Sequence, residues 1–113
     1  TTATSTSSGW HYSSGWKHHA ASGARSKGYK DAAAGHSATL KVVGSKAVLY
    51  GCKAPKMGSI SVSVAGHTTV VSEKQSFTRC GVQLWSKALP AGQQTITVKV
   101  THTKGNIDEL KVS

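Results

Sequence analysis

Gly58-Ser59-Ile60-Ser61-Val62-Ser63-Val64-Ala65-Gly66 alternates aliphatic with hydroxyl-bearing side chains without a break. Successive side chains of an extended chain point to opposite faces, so Ile60, Val62 and Val64 form one apolar row and the three serines the other. The segment is a half-buried β-strand whose apolar row needs a cover. The other strong patterns offer the same period of two: Ala38, Leu40 and Val42 within Ser37 to Val43; Ile96, Val98 and Val100 within Gln94 to His102; Leu110 and Val112 within Ile107 to Val112.

Turn residues divide these runs. Gly44-Ser45 joins Ser37 to Val43 with Ala47 to Gly51 as an expected hairpin, and Gly66 returns the chain into His67 to Ser72. Gly51 to Gly58 reads as a loop, because Pro55 lacks the donor a ladder requires. Glu73 to Thr78 is polar apart from Phe77 and reads as a connection, Val82 to Ser86 as a strand, and Gly105-Asn106 as a reversal. Within the Ala-, Gly- and Lys-rich stretch from Ala20 to Ala34, one short strand is expected near Gly28 to Asp31. Eight or nine short strands at spacings of roughly ten residues predict an all-β fold, an antiparallel two-sheet β-sandwich of jelly-roll type.

The totals set bounds. A chain of 113 residues suits one domain with a modest core, and only 16% of the residues are charged. Thr1 to Ser8, a Thr/Ser/Ala tract, reads as a linker remnant, which leaves 9–113 as a single module. No apolar run approaches the ~20 residues that span a bilayer, so no membrane insertion is expected. Nor does a signal peptide stand at the start, and the chain reads as a mature piece or an excised module.

Fourteen Lys and Arg against four Asp and Glu give a formal charge of +10. That field favours polyanions: acidic glycans, teichoic-acid-like envelope polymers or nucleic acid. Solubility alone is the competing explanation, since the lysines are scattered. Cys52 and Cys80 permit one disulfide, which secretion would favour; two buried thiols are the alternative.

The order of the elements adds a resemblance. Ala38 to Gly51 followed by Met57 to Gly66 resembles the central hairpin of galactose-binding-like β-sandwich modules. Val82 to Val100, with the ending Ile107-Asp108-Glu109-Leu110-Lys111-Val112, resembles their later strands. Such modules ride on bacterial glycoside hydrolases and surface proteins. The resemblance therefore implies a carbohydrate-binding accessory module, secreted or at the cell surface, tethered to a catalytic domain. Members often present ligand-binding side chains on loops at one end of the sandwich, and some hold a structural calcium. Four carboxylates in the whole chain argue against a calcium site, which wants six to eight oxygen ligands.

The same scarcity argues against an enzyme, because glycoside hydrolysis uses two carboxylates across one bond. His11, His18 and His19 are metal-capable types, but adjacent histidines on extended chain face opposite ways, so neither a metal nor another cofactor is expected. The aromatic residues carry more weight. Trp10, Tyr12, Trp16 and Tyr29 precede the regular strands and offer flat faces to sugar C–H groups, or else enlarge a small core. Trp85 has the opposite parity to Val82 and Leu84, which puts it on an exposed face or in a strand buried on both sides. Lys17, His18, His19, Arg25, Lys27 and Lys30 interleave with these aromatics, while Lys53, Lys56 and Arg79 sit in two other loops. The expected saccharide site draws on Trp10, Tyr12, Trp16, Lys17, His18, His19, Tyr29, Lys53, Arg79 and Trp85. An electrostatic polyanion binder and a spacer without ligand are the alternatives.

Overall fold

The computed structural model describes residues 2–4, 10–20 and 28–113, and of 2–4 only the main chain. The described residues form twelve strands and no helix: β1 Thr2–Thr4, β2 His11–Tyr12, β3 Lys17–Ala20, β4 Gly28–Ala33, β5 Ser37–Val43, β6 Lys46–Lys53, β7 Ser59–Val64, β8 His67–Ser72, β9 Arg79–Ala88, β10 Gln93–His102, β11 Lys104–Ile107 and β12 Glu109–Val112. Their sheets run β1-β12-β6-β9, β2-β5-β10-β7-β8 and β11-β4-β3. All the strand ladders are antiparallel. The all-β sandwich expected from the alternation is the fold found, with a third, three-stranded sheet beside its two main layers.

Period-two patterning explains the layers. β7 turns Ile60, Val62 and Val64 inward, at 2% exposure or less, and its serines to the opposite, hydroxyl-rich face, where Ser59 and Ser63 are half-buried and Ser61 is buried. β10 lies between β5 and β7, and its Ile96, Val98 and Val100 are wholly buried. Ala47, Leu49, Trp85, Leu110 and Val112 close the core from the four-stranded sheet. Burial is worth roughly 1.5–3 kcal/mol for each large aliphatic, so this interleaved row holds the layers together. The β7–β8 hairpin turns through Ala65 (φ 51°) and Gly66 (φ 79°), the left-handed pair a two-residue connection requires.

Three local expectations are corrected. β5 and β6 do not form a hairpin: β5 pairs with β2 and β10, whereas β6 pairs with β12 and β9 in the other layer. Gly44-Ser45 is thus an arch between sheets, and it is tight, because a Cβ on Gly44 would fall 2.4 Å from Val112 Cγ1. Gly105-Asn106 is not the reversal. Both residues are buried within β11, and the chain turns just before them at Thr103, whose φ is 53°. The anticipated loop from Gly51 is also shorter than expected, since β6 runs to Lys53 and Ala54 bridges Lys74.

Within the tract read as a linker remnant, Thr2–Thr4 pair with Glu109–Lys111 of β12. The remainder of Thr1 to Ser8 lies outside the described residues. Cys52 and Cys80 form a disulfide between β6 and β9. Among the described residues no helix is long and apolar enough to cross a membrane.

Candidate functional site

The third sheet builds a pocket at one side of the sandwich. In the β3–β4 ladder His19 lies opposite Tyr29 and Lys17 opposite Asp31; in β4–β11, Asp31 lies opposite Asn106 and Ala33 opposite Lys104. Directly opposed residues share a sheet face. One face therefore gathers Lys17, His19, Tyr29, Asp31, Lys104 and Asn106. The loop after β6 and Thr78 before β9 stand across from it, enclosing about 420 Å³ lined by His19, Tyr29, Asp31, Ala54, Pro55, Lys56, Met57, Thr78 and Lys104. That volume is in the range of sites for small ligands.

Asp31 is the polar centre of the pocket. Its carboxylate is nearly buried, with Oδ1 3.1 Å from His19 Nε2 and Oδ2 3.6 Å from Lys104 Nζ. The His19 hydrogen bond and the Lys104 charge offset the desolvation that an isolated buried carboxylate would suffer. The His19 and Tyr29 rings stack with centroids 5.3 Å apart and planes 26° apart, which fixes the orientation of the Tyr29 ring at the pocket. Burial raises the Tyr29 phenol above its ordinary value, and the Asp31 charge adds to the rise, so Tyr29 stays a neutral donor and acceptor. Ala54, Pro55 and Met57 supply an apolar wall, and Lys56 an exposed cation at the rim. A ring with C–H faces and hydroxyl edges meets a matching partner on each side: a flat aromatic face, a carboxylate acceptor and ammonium donors.

Behind the wall lies a second polar layer. Asn106, fully buried, accepts from Cys52 N at 2.6 Å through Oδ1 and donates from Nδ2 to Cys52 O at 2.7 Å. Its main-chain N donates to Glu73 Oε1 at 2.8 Å. Burial drives the Glu73 carboxyl well above the usual carboxylate range, against the opposing effects of the Asn106 hydrogen bond and the Lys53 charge.

Of the residues expected at a saccharide site, the structure brings His19 and Tyr29 into the pocket, with Lys17 on the same sheet face but outside the lining. Trp10 and Trp85 are core residues, 5% and 6% exposed, and have no face left for a ligand. Trp85 sits opposite Leu49 and points inward, because a register shift between Gln83 and Trp85 reverses the parity its neighbours suggest. Tyr12 stacks on Trp10 with centroids 5.9 Å apart and meets Trp16 at a tilt of 54° with centroids 5.1 Å apart. The Trp16 indole donates to Ser37 O, and Lys30 Nζ lies 4.3 Å from the Tyr12 ring centre. This aromatic cluster extends the core beside β2 and is separate from the pocket. His18 lies opposite Lys30 on the other face of β3. Lys53 and Arg79 oppose each other beside the disulfide, near the pocket but not lining it. Arg25 and Lys27 lie outside the described residues.

Asp31, Lys104 and Met57 were not anticipated as site residues. The alternation Tyr29-Lys30-Asp31 carried a signal for Asp31, since residues two apart on a strand share a face. Lys104 carried none, because its place depends on β11 pairing with β4 across some seventy residues of chain. Phe77, read as part of a connection, is 60% exposed and adjoins Thr78 at the pocket edge.

No protein-family model matches the chain, and no curated protein matches it. Solved structures do. The CBM35 carbohydrate-binding module from Paenibacillus barcinonensis superposes with a TM-score of 0.70 at 20% identity, over 100% of this chain and 98% of that one. CsCBM6-3 from Clostridium stercorarium, solved with cellobiose, gives 0.62 at 12% identity, over 100% and 92%. The exo-β-1,3-galactanase of Phanerochaete chrysosporium, solved with β-1,3-galactotriose, gives 0.68 at 15% identity over 97% of this chain, which spans 28% of the galactanase. At these identities the likeness establishes the fold, the galactose-binding-like β-sandwich that the order of strands resembles.

Proposed function

We propose that this chain is a non-catalytic carbohydrate-binding module that takes a saccharide in the His19–Tyr29–Asp31 pocket and holds a secreted bacterial protein on a polysaccharide or cell-envelope glycan. The observation that carries the reading is the stacked His19–Tyr29 pair beside a buried, doubly paired carboxylate in a pocket of sugar size. The shared fold supports it: two of the similar structures are carbohydrate-binding modules, and a third belongs to an enzyme acting on galactan. A catalytic domain in the parent protein is the expected neighbour. The disulfide suits an oxidising, extracytoplasmic setting.

Catalysis is a poor fit. Asp31 is the one carboxylate among the pocket's lining residues, and it is engaged by His19 and Lys104. Hydrolysis with a carboxylate pair requires a second such group facing the bond.

Charge favours an acidic sugar. Lys56 and Lys104 outnumber Asp31 in the pocket, and Asp31, Glu73 and Asp108 are buried out of the chain's four carboxylates. The exposed charged groups are therefore almost all cationic, which also favours a second reading, attraction to any polyanion, nucleic acid included.

Salt separates the two. Calorimetric titration with a uronic-acid oligosaccharide, its neutral counterpart and single-stranded DNA, at low and high salt, is the test. A pocket binder retains its oligosaccharide at high salt and binds it about tenfold more weakly on Tyr29→Ala. A counterion-driven binder loses every ligand at high salt, with or without Tyr29, and that result would reject the proposal.

A further inference from the structure

The pocket wall from Ala54 to Met57 is anchored through one buried residue that no saccharide in the pocket can touch. Glu73 is fully buried, and its main chain grips the loop at both ends: Ala54 N donates to Glu73 O at 3.0 Å, and Glu73 N donates to Gly58 O at 2.8 Å. Its side chain grips the opposite wall, since Oε1 accepts from Asn106 N of β11, the neighbour of Asp31 across the β4–β11 ladder. Asn106 in turn clamps both main-chain groups of Cys52, two residues before the loop begins. The carboxyl occupies space that only glycine leaves open. A Cβ on Gly51 would lie 3.1 Å from Oε2, and one on Gly105 would lie 3.2 Å from Oε1.

We infer that Glu73 is the positioning residue of the pocket, fixing the Ala54–Met57 wall against β11 so that ligand binding depends on the state of a side chain the ligand never meets. The inference rests on the pocket being the binding site. Among the described residues Oε2 has no hydrogen-bond partner, so the group tolerates being neutral in this dry place far better than being charged. The charged groups acting on it are Lys53 from β6, which favours ionisation, and Asp31 from β4, which opposes it; Asp31 is itself paired with His19 and Lys104.

The sign follows from burial. Folding holds the carboxyl un-ionised, so the anchoring contribution is complete at acidic pH and is lost as pH rises through the raised folded-state value. A charge appearing at Oε2 draws water or Lys53 into the layer behind the wall. The Ala54–Met57 segment loosens, and the pocket loses its shape.

Amide chemical shifts of Ala54, Gly58 and Asn106, followed by NMR from the ordinary carboxylate range of about pH 4 up to the alkaline limit at which the fold persists, test the positioning without any ligand. Wild type shows one shared transition, above the ordinary carboxylate range. Glu73→Gln, neutral and of the same size, folds and shows none. Glu73→Ala, or Glu73→Asp if the alanine variant does not fold, gives at least about tenfold faster exchange of the Ala54 amide. In calorimetry with β-1,3-galactotriose or a uronic-acid trisaccharide, wild-type affinity falls about tenfold across the transition while Glu73→Gln holds within about twofold. Absence of the shared transition, or its persistence in Glu73→Gln, overturns the inference. Failure of the wild type to bind any saccharide overturns the functional reading instead.

Discussion

Replacing Asn106 with Ala removes a side chain that stands in for a missing strand. Its amide satisfies Cys52 N and Cys52 O at 2.6 and 2.7 Å in an interior that Asn106 shares at zero exposure. Alanine leaves both main-chain groups dry and unpaired, at about 1–3 kcal/mol each, so the expected loss is about 2–6 kcal/mol. Domains of this size are stable by roughly 5–15 kcal/mol, and the variant therefore loses a large part of its margin. Asn106→Asp is a sharper comparison. It keeps the size and the acceptor but deletes the Nδ2 donor and sets a second acid near Glu73, so it is destabilised at neutral pH at least as much as the alanine variant. Equilibrium urea unfolding, followed by tryptophan fluorescence with the disulfide intact, measures both losses. A fall below about 1 kcal/mol for Asn106→Ala would refute the reasoning, because it would mean that Cys52 is satisfied by water or by another group.

Breaking the Cys52–Cys80 bridge by a double serine substitution releases a link of sequence separation 28 and costs about 3–4 kcal/mol on the loop-entropy model, read as a shift in the urea midpoint. Trp85→Ala empties a core position and loses about 3–5 kcal/mol of stability. Tyr29→Ala, on the pocket face, costs about 1 kcal/mol or less in stability but lowers saccharide affinity about tenfold, through the lost ring surface. Wild-type stability declines as pH rises through the raised folded-state value of Glu73, and Glu73→Gln flattens that limb of the pH profile; an unchanged limb would remove Glu73 as its source.

The layers of the sandwich could be read from the chain because each strand declares its own faces. Ile60-Ser61-Val62-Ser63-Val64 and Ile96-Thr97-Val98-Lys99-Val100 alternate cleanly, and each buried its aliphatics as written. Pairing partners were less legible. Gly44-Ser45 permits a hairpin or an arch equally, and the choice of arch rests on the apolar rows of β5 and β6 closing on each other from opposite sheets.

The polar interior was the least legible part. Glu73 and Asn106 sit in stretches that look like solvent-exposed turns, and only their nonlocal partners make burial tolerable. Tyr29 and His19 drew notice in the sequence as ring-bearing residues, and the structure places both on the pocket. Trp10 and Trp85 were chosen on the same ground and proved to be core, since ring area serves a small interior as readily as a ligand.

Mapping amide shift changes in the isotopically labelled chain, as a uronic-acid trisaccharide is titrated in at high salt, tests the binding proposal most directly. The account predicts saturable shifts confined to His19, Tyr29, Asp31, Ala54, Lys56, Met57, Thr78 and Lys104. Saturable shifts centred instead on the serine and threonine face of β7 and β10, or no shifts at all, would contradict it.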